Sequence, residues 1–414
     1  MASEHFQPIS GMSDIDFPEV AQWHFMEHVA RELLSRYGLR EVRTPILERT
    51  EVFVRSLGDG TDVVQKEMYT LEDRGGRSLT LRPEGTAGIA RYLAAQGTGA
   101  QDARIYYLGP MFRCERPQAG RKRQFHQCGV EMAGDPCPAA DAECVALQMD
   151  LLKAWGLEGC RLFLNTRGDE EDQRRLREGL TEQLRAHAAV LCEECRRRLD
   201  TNVLRVLDCK QARCRAVVEG LPPQAECMSA ATRAYFDTVV DLLRHMGYTP
   251  EINPRLVRGL DYYAHTVWEI THPALGAQDA VAGGGRYKVD LFGRTVTGVG
   301  FAMGLERVLM VRAAVVPPEP DAPLVRVWLV SMGEAALKAN LLLQQTLRAR
   351  GVSCAMDLRG RGAKAQMRAA NRAGAPFVVV RGDNELAAGR YTVKDMQTGE
   401  QADMALEALL DKFA

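Results

Sequence analysis

Between Arg104 and Gly134 the chain reads RIYYLGPMFRCERPQAGRKRQFHQCGVEMAG. Two β-type runs, 104–113 and 124–132, flank a polar loop holding Arg116, Pro117, Gly120, Arg121, Lys122 and Arg123. This predicts a long antiparallel hairpin with a basic loop. Side chains alternate faces along a strand, so Phe125, Gln127, Gly129 and Glu131 share one face. That face sets a ring, an amide and a carboxylate in a row, with a gap at Gly129 where another group can approach. Gln and Glu are poor occupants of an apolar core. The face is therefore expected to line a cleft, with the arginine loop closing over an anion, because guanidinium groups donate in a fixed fork suited to phosphate.

The rest of the chain is organised around this hairpin. At 414 residues it exceeds one ordinary core, and two or three domains are expected. Pro18 to Tyr37 reads as a helix ended by Gly38, and Pro45 sits in an extended stretch that suits an edge strand or a subunit boundary. The segment RPEGT leads into a helix from about Thr86, with Glu84 and Thr86 at the strand-to-helix junction. These two residues suit either helix capping or capture of a substrate ammonium at a junction where ligands gather. From about Gly168 to Met246 strand signals vanish and the chain turns charged and helical, which predicts an inserted helical domain over 168–250 between core segments 1–167 and 251–313. Strand character resumes with LVRGLDYY and AGGGRY, and GLERV (304–308) opens a helix. Arg307 there opposes the helix dipole, a place where either a surface role or a functional one fits. Residues 314–324 form a Pro-rich linker. Beyond it, strands alternate with helices over 325–414, as in a small α/β domain with a mixed sheet.

Net charge is −1, so bulk charge does not forecast a nucleic-acid partner and any such contact rests on local patches. Arg359, Arg361, Lys364 and Arg368 form one patch, compatible with a solvated face or with nucleic acid. The start has no secretory pattern and no apolar run reaches membrane-span length, so no membrane association is expected. Eleven Cys without such a leader suggest reduced thiols in the cytoplasm.

Taken together, these residues resemble the histidyl-tRNA synthetases, class II aminoacyl-tRNA synthetases, over nearly the whole chain. The segment around Pro45 resembles that class's dimer-interface motif, FRCERP with RQFHQCGVE its second motif, and GLERV its third. LVRGLDYY and AGGGRY, in this order, resemble the two histidine-specific signatures. The resemblance implies an α+β fold: a class II antiparallel sheet with helices, a helical insertion and a C-terminal anticodon-binding domain. It implies a cytoplasmic homodimer that makes histidyl-adenylate from L-histidine and ATP with Mg²⁺, then esterifies histidine tRNA. By the same resemblance Phe125 and Arg307 sandwich adenine, Arg113 grips the α-phosphate and Arg121 the terminal phosphates. Glu84, Thr86 and Gln127 hold the histidine ammonium, while Glu131 and a tyrosine of the pair Tyr262 and Tyr263 bracket the imidazole. Arg258 stabilises charge developing on the α-phosphate.

There are departures. The family usually follows GGGRY with Asp where this chain has Lys288, and the segment to Gly298 is about three residues short; Asp290 is the available substitute. The rival reading is a non-catalytic histidine-binding paralogue, such as the regulatory subunit of ATP phosphoribosyltransferase. Such paralogues tend to lack the catalytic arginine and the last domain, whereas this chain has Arg258, Arg307 and residues beyond 324. A different class II synthetase is opposed by LVRGLDYY with AGGGRY. One feature lies beyond the resemblance, which requires no metal. Cys192 and Cys195 form a Cys-x₂-Cys pair, and Cys209 and Cys214 a Cys-x₄-Cys pair. Two such pairs suit a closed thiolate zinc site or a cluster of reduced, buried thiols.

Overall fold

The computed structural model describes residues 6–97, 102–207, 209–221, 228–257, 262–276, 279–317 and 323–413. It forms two compact units, Met1–Pro318 and Glu319–Ala414. In the first, α1 (Glu19–Arg36) buries Trp23, Met26, Ala30 and Leu34, a spacing that places all four on one face. Gly38 ends it with φ +73°. Strands β1 (Arg40–Glu41) and β2 (Leu47–Arg49) follow, and Pro45 lies between them rather than within a strand. The expected edge-strand proline is instead part of the break that sends β1 and β2 to different sheets. After α2 (Thr50–Leu57), β3 (Tyr69–Glu72) and β4 (Ser78–Leu81) pair as a hairpin and complete a three-stranded sheet with β2.

Next come α3 (Thr86–Gln96), β5 (Arg104–Phe112), β6 (Gln124–Ala133), α4 (Pro138–Ala154) and β7 (Arg161–Thr166). Four helices follow: α5 (Glu170–Ala186), α6 (Glu193–Thr201), α7 (Ala212–Glu219) and α8 (Ala230–His245). Strands β8 (Glu251–Ile252), β9 (Tyr263–Thr271), β10 (Ala280–Leu291) and β11 (Arg294–Gly304) lead into α9 (Leu305–Val315). The main sheet has eight strands in the order β1-β5-β6-β11-β10-β9-β7-β8. Its two end pairs, β1–β5 and β7–β8, are parallel and the inner pairs antiparallel.

Each face of this sheet carries its own apolar layer, as strand alternation requires. On one side Val130, Met132 and Trp268 pack with Trp23 and Met26 of α1, Leu147 and Leu151 of α4, and Val239 and Leu243 of α8. On the other, Ile105, Tyr107, Tyr287 and Val289 pack with Phe53 and Leu57 of α2 and Ile89 and Leu93 of α3. Helix α8 thus belongs to the main core, although the sequence groups it with the charged helical segment. The remaining helices α5–α7 share a separate small core, including Leu176, Leu180, Leu184, Leu204 and Val218.

The shortened stretch after AGGGRY is a tight hairpin. Leu291 pairs with Arg294 across the two-residue turn Phe292-Gly293, whose φ values are +49° and +80°. Two positive φ values are the requirement of the two-residue turn that matches strand twist. Asp290 is exposed beside this turn, on the same strand face as residue 288, and accepts from the Thr295 hydroxyl. Lys288 is likewise exposed and pairs with Glu170 at the start of α5.

The second unit contains β12 (Val327–Ser331), α10 (Glu334–Ala349), β13 (Cys354–Met356), α11 (Ala363–Arg372), β14 (Phe377–Arg381), α12 (Asp383–Ala387), β15 (Tyr391–Asp395), β16 (Gln401–Met404) and α13 (Leu406–Phe413). Its sheet order is β13-β12-β14-β15-β16, with the first three strands parallel and the last two antiparallel to their neighbours. This is the mixed α/β sheet expected from the alternating pattern.

Candidate active site

Strands β6, β9, β10 and β11, the N-terminus of α3 and the first turn of α9 enclose a cavity of about 420 Å³. Glu84, Thr86, Arg113, Arg121, Phe125, Gln127, Glu131, Tyr262, Tyr263 and Arg307 all line it. Residues scattered over more than 200 positions thus meet at one place. Arg258 lies outside the described residues. The face of β6 runs Phe125, Gln127, Glu131 along the cavity, as period-two alternation requires.

The gap foreseen at Gly129 is filled from within. Tyr107 lies opposite Gly129 in the β5–β6 register. A Cβ at Gly129 would stand 2.2 Å from Tyr107 Cζ, and one at Gly85 would stand 2.1 Å from the same atom. Both glycines therefore make room for this ring, and the close approach is by a neighbouring side chain rather than a ligand. Gly300 makes a second allowance, since a Cβ there would lie 2.1 Å from Glu131 Oε2.

At the junction before α3, Glu84 accepts from the backbone N–H of Thr86 (2.8 Å) and of Ala87 (2.7 Å). This carboxylate satisfies two donors that a helix start leaves open. It also lines the cavity, so the capping and the site readings of Glu84 describe the same geometry. Burial pushes its pKa up, and these backbone donors pull it back. The preceding loop is fixed by buried Arg82, which donates to Pro110 O and Thr44 O, both at 2.9 Å.

Thr86 Oγ1 donates to Glu131 Oε1 at 2.7 Å. Glu131 is 1% exposed. Burial, with the Glu84 charge adding to it, pushes its carboxyl up to about 8 against the pull of the Thr86 hydrogen bond. Among the described residues, Glu131 Oε2, Gln127 Oε1, Tyr107 Oη and Tyr287 Oη have no hydrogen-bond partner. Four unpaired polar atoms in one buried place are costly unless something completes them. Around them the Tyr262 and Tyr263 rings meet edge-on at 4.7 Å, and Tyr262 meets Tyr287 at 6.1 Å. Burial, with added push from nearby carboxylates, raises the Tyr107, Tyr262 and Tyr287 phenols, which keeps all three protonated.

The other end of the cavity is cationic. Arg113 donates through Nε to Pro83 O (2.8 Å), and its guanidinium stands 5.3 Å from the centre of the Phe125 ring. Glu115 pairs with Arg113 at 3.7 Å and with Arg121 at 3.5 Å. Arg307 donates through Nε to Ala280 O at 2.7 Å. Burial and the Arg121 charge lower its pKa. Two guanidinium groups held near one another in a half-buried place make a site for an anion.

Sequence reasoning missed Tyr107, Tyr287, Glu306 and Asp141. Glu306 is 7% exposed and accepts from both the backbone N–H and the Nδ1 of His126, each at 3.0 Å, locking α9 to β6. Asp141, fully buried, pairs with Arg286 of AGGGRY at 2.6 Å and accepts from Tyr235 and Thr266 hydroxyls at 2.9 and 2.6 Å. This network fixes β10 next to Tyr287. Tyr107 carried no sequence signal of its own, because its place opposite Gly129 is set by the pairing register.

Comparison with known proteins agrees with this geometry. A family profile described as Histidyl-tRNA synthetase matches residues 11–308, and one described as Anticodon binding domain matches residues 325–414. The histidine–tRNA ligase of Halothermothrix orenii is 43% identical over 410 residues, spanning 97% of each chain. That of a Geobacillus species is 43% identical over 414 residues, spanning 98% of each. The crystal structure of apo Staphylococcus aureus histidyl-tRNA synthetase superposes with a TM-score of 0.81 at 33% identity, covering 98% of this chain and 99% of that one. With its cavity built on the hairpin and on AGGGRY, and with these matches over its full length, the chain belongs to the histidyl-tRNA synthetase family.

Proposed function

We infer that this chain is a histidine–tRNA ligase, activating L-histidine with ATP and transferring it to histidine tRNA. The observation that carries this reading is Glu131: a buried carboxyl with one oxygen fixed by Thr86 and the other unpaired, in a cavity whose far end is cationic. An imidazole needs an acceptor at one nitrogen and a second partner at the other, and Glu131 opposite a phenol supplies both. Of the expected pair, Tyr262 and Tyr263 both line the cavity, and Tyr287 joins them there.

In this reading Glu84, Thr86 and Gln127 hold the ammonium, Gln127 through its unpaired Oε1. Arg113 takes the α-phosphate, with Nε anchored on Pro83 O so that its outer nitrogens are the ones that meet the ligand. Arg121 takes the terminal phosphates. Phosphate oxygens compete with Glu115, which shares both arginines in the free chain. Adenine lies between Phe125 and Arg307. The histidine carboxylate attacks the α-phosphorus in line and pyrophosphate leaves, so the protein acts by position and charge, and Arg258 supplies positive charge at the α-phosphate.

Mg²⁺ would neutralise phosphate charge in this step. Glu67 and Glu115, which line the cavity, are the carboxylates that would hold it. We further propose a cytoplasmic homodimer, with tRNA read by residues 325–414, where Arg359, Arg361, Lys364 and Arg368 gather at the start of α11. Among the described residues no helix is long and apolar enough to cross a membrane. The regulatory-subunit reading is disfavoured by full-length identity to curated ligases. Aminoacylation of histidine tRNA by the purified chain tests the choice. A ligase charges the tRNA, whereas a regulatory paralogue binds histidine and charges nothing.

A further inference from the structure

The four cysteines Cys192, Cys195, Cys209 and Cys214 have no part in the reaction above. Their sulfurs all lie within 4.8 Å of one another, and Cys192 and Cys209 are 4.0 Å apart. Bonds of about 2.3 Å to one tetrahedral zinc would set sulfurs about 3.8 Å apart, so the four are already close to the separation a shared ion requires. A disulfide needs about 2.05 Å, which none of the described cysteines shows, since all are free thiols.

We propose that these four thiolates bind one structural Zn²⁺ in the helical segment. The local fold is built for it. Cys192 is the N-cap of α6 and Cys195 lies in its first turn, while Cys214 lies in the first turn of α7. Helix starts present open N–H donors and a positive dipole end, both of which stabilise thiolates. The N–H of Cys195 donates to Cys192 Sγ at 3.4 Å, and the N–H of Cys192 donates to Cys214 Sγ at 3.2 Å. A four-thiolate zinc carries net negative charge, and the sequence supplies basic residues alongside it at Arg196, Lys210, Arg213 and Arg215, while Arg197 and Arg198 pair with Glu194.

The energetic case rests on size. Cys192, Cys195 and Cys214 belong to the small core of α5–α7, so thiols occupy places where larger apolar side chains would otherwise contribute burial. Small units of this kind gain from a metal staple, because binding energy to the folded ligand set becomes folding energy. The loop closed between Cys195 and Cys209 includes the 3₁₀ turn Val203–Val206. Arg205 of that turn pairs with Asp62, and both line the cavity. The proposed ion would therefore brace the segment that reaches the cavity from the helical side.

The test is elemental analysis of the full-length chain, purified under reducing conditions from cells supplied with zinc and dialysed against metal-free buffer. The expected result is one zinc per chain, retained through dialysis and released when a mercurial blocks the thiols. Replacing it with Co²⁺ should give the charge-transfer and d–d absorption of a tetrahedral thiolate site. Cys192→Ser and Cys214→Ser should each lose the metal, while Cys160→Ser, outside the cluster, should keep it. Should a variant fail to fold, metal content and the cobalt spectrum of the parent chain still decide. Zinc below about a tenth of stoichiometry after exposure to Zn²⁺ with the thiols reduced would overturn the proposal. So would zinc that survives both cluster substitutions, or a Cys192–Cys209 disulfide in the reduced preparation.

Discussion

Thr86 Oγ1 and Glu131 Oε1 are joined by a 2.7 Å hydrogen bond that ties the start of α3 to the middle of β6. It orients the Glu131 carboxyl, leaves Oε2 unpaired among the described residues, and sets that oxygen against Gly300, where any Cβ would clash. A glycine opposite a buried acid and a hydroxyl holding it are what a site for one small polar ring requires.

Glu131→Gln keeps the shape and an acceptor for Thr86 but removes the carboxyl that can ionise against a bound imidazole. The expected outcome is a loss of at least about tenfold in kcat/KM for histidine, equivalent to about 1.4 kcal/mol, with the KM for ATP changed far less. Steady-state ATP–pyrophosphate exchange measures both. A smaller histidine effect would mean that Glu131 does not read the ring.

The same carboxyl sets a pH dependence of stability. In the folded, ligand-free chain it holds its proton up to about 8, chiefly because it is buried. In the unfolded chain it releases the proton near the ordinary carboxyl range. Between those values the unfolded state binds fewer protons, so this group's contribution is full at low pH and is lost as pH rises from about 5 to about 8. Urea midpoints of the parent chain should therefore fall more steeply over that range than those of Glu131→Gln. Parallel slopes would contradict the assignment.

How much of this was legible beforehand depends on which physical rule each residue obeys. Phe125, Gln127 and Glu131 were readable because strand alternation is local and polar side chains on one face are unusual. Tyr107 and Tyr287 were not, because a tyrosine in a strand reads as core until pairing register places its hydroxyl. Gly129 was marked as a place where another group can approach, but sequence alone does not say that this group is Tyr107, which lies across from it. Asp290 was the nearest acid to the altered position, and the tight turn at Phe292-Gly293 that accounts for the short segment could not be read before β10 and β11 were paired. Helix α8 lies in the same strandless stretch as α5, and its Phe236, Val239 and Leu243 stripe had to meet α4 before it could be placed in the main core.

Asp141→Ala probes the support beneath the site. It leaves Arg286 buried with its charge uncompensated, although backbone carbonyls of Gly134 and Asp135 still accept from it at 3.2 Å. The expected loss in unfolding free energy is about 3–5 kcal/mol, read from urea denaturation. A change under about 1 kcal/mol would show the pair to be dispensable.

Arg258→Ala tests the transition-state role given to that residue. If its charge acts as the α-phosphate is attacked, kcat for adenylate formation should fall by about 10² or more with smaller changes in KM. A raised KM for ATP at unchanged kcat would make it a ground-state binder instead.

The most direct test of the central claim is ATP–pyrophosphate exchange by the purified chain with each standard amino acid in turn. Exchange dependent on histidine, with the others near background, is the predicted result. Exchange driven by a different amino acid, or none with histidine in folded protein, would contradict it.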